Sequence, residues 1–163
     1  MLALVVGLGG CGSTSENVAP ESAVVERVGD GDTLDVRGGA RVRLVQIDAP
    51  ELGEQECYAQ ESKRELERLA PRGVRIELER DPALDDVDRY GRLLRYVEIK
   101  GMNVNVELVR RGAAAPYFRH GDRGRYADEL LDAVGEARVG HRGMWGSCRV
   151  DWDPDGPVST RGR

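Results

Sequence analysis

Three carboxylates follow β-prone runs at places where they could act together. Asp32 lies in the stretch GDGDT, and Asp48 and Glu51 lie in RLVQIDAPE. If the first three β-prone runs form a meander, the third strand ends near the start of the second, which brings Asp32 close to Asp48. Two adjacent carboxylates repel one another unless a proton or a cation lies between them. With a backbone carbonyl such as that of Ala49, these oxygens suit Ca²⁺ or Mg²⁺, and Glu51 could hold a water molecule.

Two arginines accompany these carboxylates. Arg43 begins the third β-prone run, and Arg92 lies in DRYGRL. A planar guanidinium matches a pair of phosphate oxygens. A divalent cation, two arginines and a carboxylate beside a water molecule would form a site for phosphodiester hydrolysis. Each motif alone is more often structural, as a turn or a helix entry, so the prediction depends on their joint occurrence.

The overall charge opposes a protein that holds nucleic acid by bulk attraction. The chain has 163 residues, enough for one domain, and a formal net charge of -5. A polyanionic substrate would therefore need a bound cation or a local basic patch. Arg119, Arg123 and Arg125 could form such a patch, although Asp122 among them also fits a solvated loop of mixed charge.

Hydrophobic periodicity and turn residues predict the elements that carry these motifs. We expect five strands and three helices in the order βββ-α-ββ-α-α, which is the order of a five-stranded OB-fold barrel of the α+β class. Pro71 and Gly73 should end the first helix. The expected strands are 23–29, 33–37, 41–48, 74–80 and the end of 89–101, and the expected helices are 55–70, 102–112 and 125–139.

The N-terminal region resembles an export signal. Residues 1–10 are apolar and then small, and LGGC at 8–11 resembles a bacterial lipobox, in which Cys11 would carry lipid and anchor the protein to a membrane. A plain cleaved signal is the alternative. Residues 11–22 are small and polar and are typical of a flexible tether. We therefore expect an exported protein, either an envelope lipoprotein or a secreted one.

The remaining cysteines and the C-terminal tail carry weaker signals. Cys57 and Cys148 in an exported protein would form a disulfide, although two unrelated buried thiols are the alternative. We expect the domain to span 23–148 and 149–163 to be a disordered acidic tail. DWDPDG within that tail begins like a Ca²⁺ loop, but Gly162 stands where the loop needs a bidentate Glu, so a Ca²⁺ loop is the weaker alternative.

Together these motifs resemble the staphylococcal nuclease (thermonuclease) family over residues 24–145. The resemblance is carried by DGDT (30–33), RLVQIDAPE (43–51), YAQESK (58–63), DRYGR (88–92), NVELVRRGAA (105–114) and GMWGSC (143–148). It departs from the family in having Ala49 for a threonine, Ala59 for a glycine and Arg89 for a lysine. None of these changes removes a catalytic group.

The resemblance implies a role for each acidic motif. It implies Ca²⁺ as cofactor, with Asp32, Asp48 and the carbonyl of Ala49 as its ligands and Asp30 just behind them. Glu51 would orient or deprotonate the attacking water.

The resemblance also implies how substrate is bound. Arg43 and Arg92 would be catalytic, because they would bind the phosphate and stabilise the charge of the transition state. Residues implied to bind the nucleotide are Arg89, Tyr90, Tyr117 and Phe118. Packing under a neighbouring helix is the alternative for the last two.

The expected function is thus a monomeric, calcium-dependent nuclease. It would hydrolyse phosphodiester bonds of DNA, RNA or both with water as nucleophile, with little sequence preference, and would leave 3′-phosphates. The alternative is a catalytically weak module of the same fold that binds nucleic acid or protein.

Overall fold

The structure is a computed structural model that describes residues 21–163. The strands are β1 Ser22–Asp30, β2 Thr33–Val36, β3 Arg41–Leu44, β4 Ile47–Asp48, β5 Arg75–Glu79, β6 Leu93–Ile99, β7 Met102–Asn103, β8 Ala115–Pro116, β9 Arg149–Asp151 and β10 Ser159–Arg161. The helices are α1 Ala59–Leu69, α2 Val104–Arg110, α3 Ala127–Val139 and the single turn α4 Met144–Ser147. The predicted signal segment 1–10, Cys11 and the rest of the tether up to residue 20 lie outside the described residues. The tether was predicted to reach residue 22, but Ser22 already pairs with Glu77 as the first residue of β1.

Five strands close into a barrel. The order is β3-β2-β1-β5-β6, and β3 also pairs with β6, which removes both edges. The β3–β6 pair is parallel, and the other four pairs are antiparallel. Val25, Leu34, Val42, Ile76 and Val97 are fully buried within the core. This barrel with its three longer helices confirms the predicted α+β OB-fold.

The third predicted strand is broken by a left-handed residue. The sequence predicts one strand over 41–48, but β3 ends at Leu44 and Gln46 has a φ of 61°. The chain therefore leaves β3, and Ile47 and Asp48 pair instead with Pro116 and Ala115 of β8. The break turns Asp48 away from the barrel wall and toward the start of β2.

Helix boundaries also differ from the sequence pattern. The first helix was predicted from residue 55, but α1 begins at Ala59 because Tyr58 takes a φ of 73°. α2 begins at Val104, where the side chain of Asn103 accepts a hydrogen bond from the Val106 N–H at 3.2 Å. The seven residues of α2 pack against α3 in one continuous core with the barrel.

The expected disordered tail is an ordered hairpin. β9 and β10 pair antiparallel, and we call residues 149–161 the C-terminal hairpin. The indole N–H of Trp152 donates to the Pro116 carbonyl at 2.8 Å, and Val158 is buried with Met144 and Cys148. The prediction was wrong because it rested on the polar composition of the tail, whereas Trp152 and Val158 pack against the domain in the folded protein. In the loop of the hairpin, the Asp153 carboxylate accepts the Asp155 N–H, and the Asp153 carbonyl accepts the Gly156 N–H. This turn accounts for the DWDPDG pattern without a cation.

A disulfide joins the start of this hairpin to the loop before α1. Cys57 and Cys148 are bonded, with Cα atoms 6.0 Å apart and a sequence separation of 91 residues. Closing a loop of that length restricts the unfolded chain by up to about 4–5 kcal/mol in the chain-entropy account. The bond therefore holds the C-terminal hairpin against the rest of the domain.

Within residues 21–163, no helix combines the length and the apolar composition needed to cross a membrane.

The turn between β1 and β2 fits tightly against α1. A Cβ on Gly31 would lie 2.2 Å from the Oγ of Ser62 and 2.7 Å from the Cβ of Ala49. Ser62 cannot move away freely, because it is buried and its hydroxyl donates to the Ala113 carbonyl at 2.5 Å. Glycine at this position lets the acidic residues on either side approach residues 48–51.

We expect Gly31→Ala to lower the melting temperature by about 2–10 °C, because overpacking costs roughly 1–3 kcal/mol in a domain of this size. Gly53→Ala is the matched control, since a Cβ there meets nothing within 4 Å. Thermal unfolding followed by circular dichroism makes the comparison. Equal melting temperatures for the two variants would contradict the tight fit.

Candidate active site

Two buried carboxylates converge on one guanidinium. Nη2 of Arg43 lies 3.0 Å from Oδ2 of Asp32 and 2.7 Å from Oδ1 of Asp48. The antiparallel β2–β3 register places Thr33 opposite Arg43, which brings the start of β2 to this point. All three charged side chains are at most 12% exposed. The structure therefore brings together the predicted metal-binding carboxylates and the first predicted phosphate-binding arginine.

Backbone groups fix the orientation of Arg43. Nη1 donates to the carbonyls of Leu44 and Ile47, at 2.8 and 2.7 Å. Both carbonyls point toward the guanidinium because the chain turns sharply at Gln46, which lies between them in the sequence. Arg43 is thus held at Nη1 by the fold and at Nη2 by the two carboxylates.

Hydrogen bonds from neighbouring backbone hold each carboxylate. Asp32 accepts from the Thr33 hydroxyl at 2.9 Å and from the Ala49 N–H at 3.0 Å. Oδ2 of Asp48 accepts from the Val158 N–H at 3.0 Å. These donors partly replace the water that the carboxylates lose on burial. Ala49, predicted as a ligand through its carbonyl, therefore lies directly beside Asp32.

Burial, together with a local excess of negative charge, raises two pKa values. Burial, followed by the charges of Asp32 and Asp30, a hydrogen bond with Asp30 and the charge of Asp48, raises the pKa of Glu51 to about 7. Burial raises the pKa of Asp48 to about 6; Arg43 opposes this rise, and Asp32 adds to it. The charges of Asp30, Asp32 and Asp48 thus all raise the pKa of Glu51, and Arg43 is in contact with Asp32 and Asp48; an added positive charge beside these carboxylates would be favourable.

Arg92 lies immediately before β6, the strand that pairs with the strand of Arg43. The parallel β3–β6 pair places Arg43 opposite Leu94, two residues after Arg92. Nε of Arg92 donates to Asp88 at 2.6 Å, and Asp88 also accepts the N–H groups of Tyr90 and Arg92. Asp88 therefore fixes both the turn and its arginine. The Arg92 side chain remains 27% exposed.

A pocket of about 460 Å³ connects the two arginines. Both arginines line it, and Tyr90, with 67% of its surface exposed, forms part of its rim. The guanidinium groups of Arg89 and Arg92 lie 4.7 and 5.4 Å from the centre of the Tyr90 ring. The predicted substrate-binding residues that line this pocket are Arg89, Tyr90 and Tyr117.

Phe118 does not reach this pocket. It is fully buried in the core, so the prediction that it stacks on a base is wrong and its packing alternative is correct. Of the predicted basic patch, Arg119 lines the pocket, whereas Arg123 lies over the Phe118 ring at 5.3 Å. Arg125 forms an ion pair with Glu79 and is not a free cation.

Comparison with known proteins identifies the family. The model of the staphylococcal nuclease homologue family matches residues 41–147. The chain belongs to the staphylococcal nuclease family. An uncharacterized endonuclease of Escherichia coli is 38% identical over 144 residues, which cover 85% of this chain and 84% of that protein. The thermonuclease of Staphylococcus intermedius is 33% identical over 140 residues, covering 81% and 80%. Endonuclease YhcR of Bacillus subtilis is 30% identical over 151 residues, which cover 80% of this chain and 12% of YhcR.

This family membership makes the protein a nuclease, a hydrolase of phosphodiester bonds. The predicted family and enzyme class are therefore confirmed.

Four residues that support this nuclease site were missed in the sequence. Asp88 could have been recognised, because an Asp at the start of a turn commonly accepts the backbone N–H two residues on, here that of Tyr90. Gln46 gave no signal: its amide donates to the Asp122 carbonyl at 2.7 Å and accepts from the Tyr96 hydroxyl at 2.9 Å. Val158 also gave none, because its contact to Asp48 joins residues 110 positions apart. Glu56 accepts the N–H of Glu51, only five residues away, but nothing in the sequence shows that its other oxygen accepts the Thr160 N–H, 104 positions away.

Ionisation of Asp48 should destabilise the metal-free protein. The pKa of Asp48 is about 6 in the folded protein, against 3.8 for an unperturbed aspartate. The folded state therefore favours the protonated form, and the protein loses stability as pH rises from about 4 to above 6. Asp48→Asn removes the ionisation. We expect it to raise the melting temperature at pH 8 in a chelator by on the order of 3–8 °C, and to change it little at pH 4.5.

Asp132→Asn, on the exposed surface of α3, is the matched control and should have no pH-dependent effect. A lower melting temperature for Asp48→Asn at pH 8 would mean that the ion pair with Arg43 outweighs the cost of burial.

Proposed function

We propose that this nuclease is calcium-dependent and cleaves DNA, RNA or both by attack of water on phosphorus. The observation that carries the proposal is the pair of Asp32 and Asp48 oxygens that meet on one nitrogen of Arg43 beside a pocket lined by Arg92. A buried acidic pair next to two arginines is suited to a cation and a phosphate together.

The donor set fits a hard cation that retains water. Among residues 21–163, no three His, Cys, Asp or Glu side chains are grouped closely enough to hold a metal ion by themselves. Ca²⁺ also accepts carbonyl and water oxygens, so Asp32, Asp48 and the Ala49 carbonyl would hold it, with water and substrate completing the shell. Bound Ca²⁺ would supply positive charge to the phosphate oxygens.

The two arginines bind the scissile phosphate. Asp88 accepts a hydrogen bond from Nε of Arg92, so the two terminal nitrogens of Arg92 can donate to a phosphate in a bidentate contact. Arg43 keeps Nη1 on the Leu44 and Ile47 carbonyls and donates from Nη2 to the phosphate when substrate binds. Both guanidinium groups then face the charge that grows on the phosphorus oxygens in the transition state.

Glu51 orients the attacking water and accepts its proton. A carboxylate whose pKa lies at about 7 is suited to general-base work near neutral pH. The water oxygen bonds to phosphorus, the bond from phosphorus to the 5′-oxygen breaks with its electron pair on that oxygen, and the 5′-oxygen takes a proton from a solvent water. The products are a 3′-phosphate and a 5′-hydroxyl, as the family resemblance implies.

The pocket favours low sequence preference. Phosphate contacts from Arg43, Arg89 and Arg92 carry no base information. Tyr90 and Tyr117 offer aromatic faces, on which any base can stack. The proposed substrate is therefore a flexible or single-stranded segment of either nucleic acid.

The proposal is tested by digestion of plasmid DNA and of RNA with Ca²⁺ and with excess EGTA. We expect cleavage only with Ca²⁺, with 3′-phosphate ends. Arg92→Ala should lower kcat by about 10²–10³-fold, because it removes one charged donor to the transition state.

Arg37→Ala is the control for loss of a positive charge, since Arg37 is exposed in the turn after β2. A folded protein that shifts nucleic acid in a gel but never cuts it would support the binding-module alternative. Full activity of a folded Arg92→Ala variant would overturn the role of Arg92.

We also propose that the protein is exported as a monomer and anchored through lipid on Cys11. The disulfide between Cys57 and Cys148 supports an oxidising compartment. We expect labelled palmitate to be incorporated into the wild type and not into the Cys11→Ser variant. Labelling that persists in that variant, or a wild type without label, would exclude the anchor and leave secretion.

A further inference from the structure

The C-terminal hairpin lies beyond the part of the chain that the family model matches, yet it touches the site. The match ends at residue 147, and the hairpin spans 149–161. It is linked, directly or through Glu56, to the two acidic residues to which the proposed function gives different roles. One contact reaches Asp48, and the other reaches the backbone of Glu51.

The first contact holds the side of Asp48 that Arg43 does not use. Oδ1 of Asp48 faces Arg43, whereas Oδ2 accepts from the Val158 N–H at 3.0 Å. Val158 is 5% exposed and Asp48 is 6% exposed, so water cannot readily replace this donor. The hydrogen bond therefore fixes the rotation of the carboxylate.

The second contact runs through Glu56. Its Oε1 accepts the Thr160 N–H at 2.9 Å, and its Oε2 accepts the Glu51 N–H at 2.8 Å. One carboxylate thus bridges β10 and the backbone of the residue proposed to orient water. Thr160 is 2% exposed, so this end of the bridge is buried.

Covalent and polar contacts hold the hairpin in place. The Thr160 hydroxyl donates to the Cys57 carbonyl at 2.7 Å, and Cys57 is bonded to Cys148, the residue before β9. At the far end, the Phe118 N–H donates to the Pro154 carbonyl at 2.6 Å. The disulfide therefore anchors one end of the hairpin, and the hydrogen bond from Phe118 anchors its loop.

We propose that the C-terminal hairpin, secured by the disulfide, positions both Asp48 and Glu51 for catalysis. The inference rests on the proposed function. Val158 is a positioning residue for the cation-binding carboxylate, and Glu56 is a positioning residue for Glu51. Breaking the disulfide loosens the hairpin and weakens Ca²⁺ binding without removing any Ca²⁺ ligand.

Val158→Pro removes the N–H, whereas Val158→Ala keeps it and shortens the side chain. Calorimetric titration of the full-length protein with CaCl₂, without nucleic acid, measures the effect. Because losing a hydrogen-bond partner of a metal ligand typically costs 10–100-fold in affinity, we expect the Ca²⁺ Kd of the Pro variant to exceed that of the Ala variant by at least about 10-fold. Equal Kd values for the two folded variants would overturn the role of the N–H.

Glu56→Ala breaks the bridge to Glu51 without touching a proposed Ca²⁺ ligand. We expect kcat to fall about 10-fold, with KM for DNA and the Ca²⁺ Kd within about threefold of wild type. Glu54→Ala removes an exposed carboxylate from the same loop and should leave all three constants unchanged. Glutamine has one side-chain oxygen where Glu56 has two, so Glu56→Gln cannot accept both N–H groups. Equal kcat values for the alanine variants of Glu54 and Glu56, or a wild-type kcat for Glu56→Gln, would show that the bridge is not needed.

Reduction tests the disulfide if Val158→Pro fails to fold. Dithiothreitol gives two electrons and two protons to the S–S bond, which leaves two thiols and a cyclic oxidised reagent. We expect the Ca²⁺ Kd of the wild type to rise at least about fivefold on reduction, while far-ultraviolet circular dichroism is retained. The Ca²⁺ Kd of the Cys57→Ser, Cys148→Ser double variant should equal that of the reduced wild type and should not change when dithiothreitol is added.

The two proposals fail in different ways. A wild type that neither binds Ca²⁺ nor cuts nucleic acid overturns the proposed function, and this inference with it. A wild type that does both, but whose Ca²⁺ Kd is the same after reduction and in the folded hairpin variants, overturns the inference alone.

Discussion

Burying two carboxylates side by side costs free energy, and the fold offsets that cost with donors drawn from four parts of the chain. Arg43 supplies the positive charge, Thr33 and Ala49 supply donors to Asp32, and Val158 supplies one to Asp48. The offset is incomplete, because the pKa of Asp48 remains raised to about 6. Because the charge that remains is negative, a further positive charge at this site would be favourable.

Barrel closure determines what faces that acidic pair. A parallel β3–β6 pair seals the sheet and places the start of β6 beside the arginine of β3. Arg43 and Arg92 are 49 positions apart in the sequence, yet they line one pocket. Because each guanidinium is fixed by fold contacts, Arg43 by two carbonyls and Arg92 by Asp88, neither must be ordered when substrate binds.

Function in this chain uses the surface beyond the barrel as well. The C-terminal hairpin packs two apolar side chains, Trp152 and Val158, against the domain, and its backbone then supplies donors to the acidic residues. An acidic segment with two prolines and one glycine thus becomes ordered through a disulfide and a small apolar cluster. Composition alone favoured disorder there, since it weighs the exposed residues equally with the two that pack on the domain.

Much of the site could be predicted because its residues lie in short motifs at the ends of regular elements. GDGDT and RLVQIDAPE place Asp32 and Asp48 at neighbouring strand ends, and period-two alternation predicts the strands themselves. The choice between Tyr117 and Phe118 could not be made, because adjacent residues at a strand end point to opposite sides and one slip of register exchanges them. The buried one of the two is Phe118.

The sequence by itself determined the order of the five barrel strands and the three longer helices, the family and the candidate catalytic groups, because each depends on local periodicity or on residues a few positions apart. Tertiary structure alone decided that Gln46 breaks the third strand, that Val158 and Glu56 support the site, and that Arg125 is paired rather than free. Those outcomes depend on contacts between segments far apart in the chain, and such contacts exist only after the barrel has closed and buried its core.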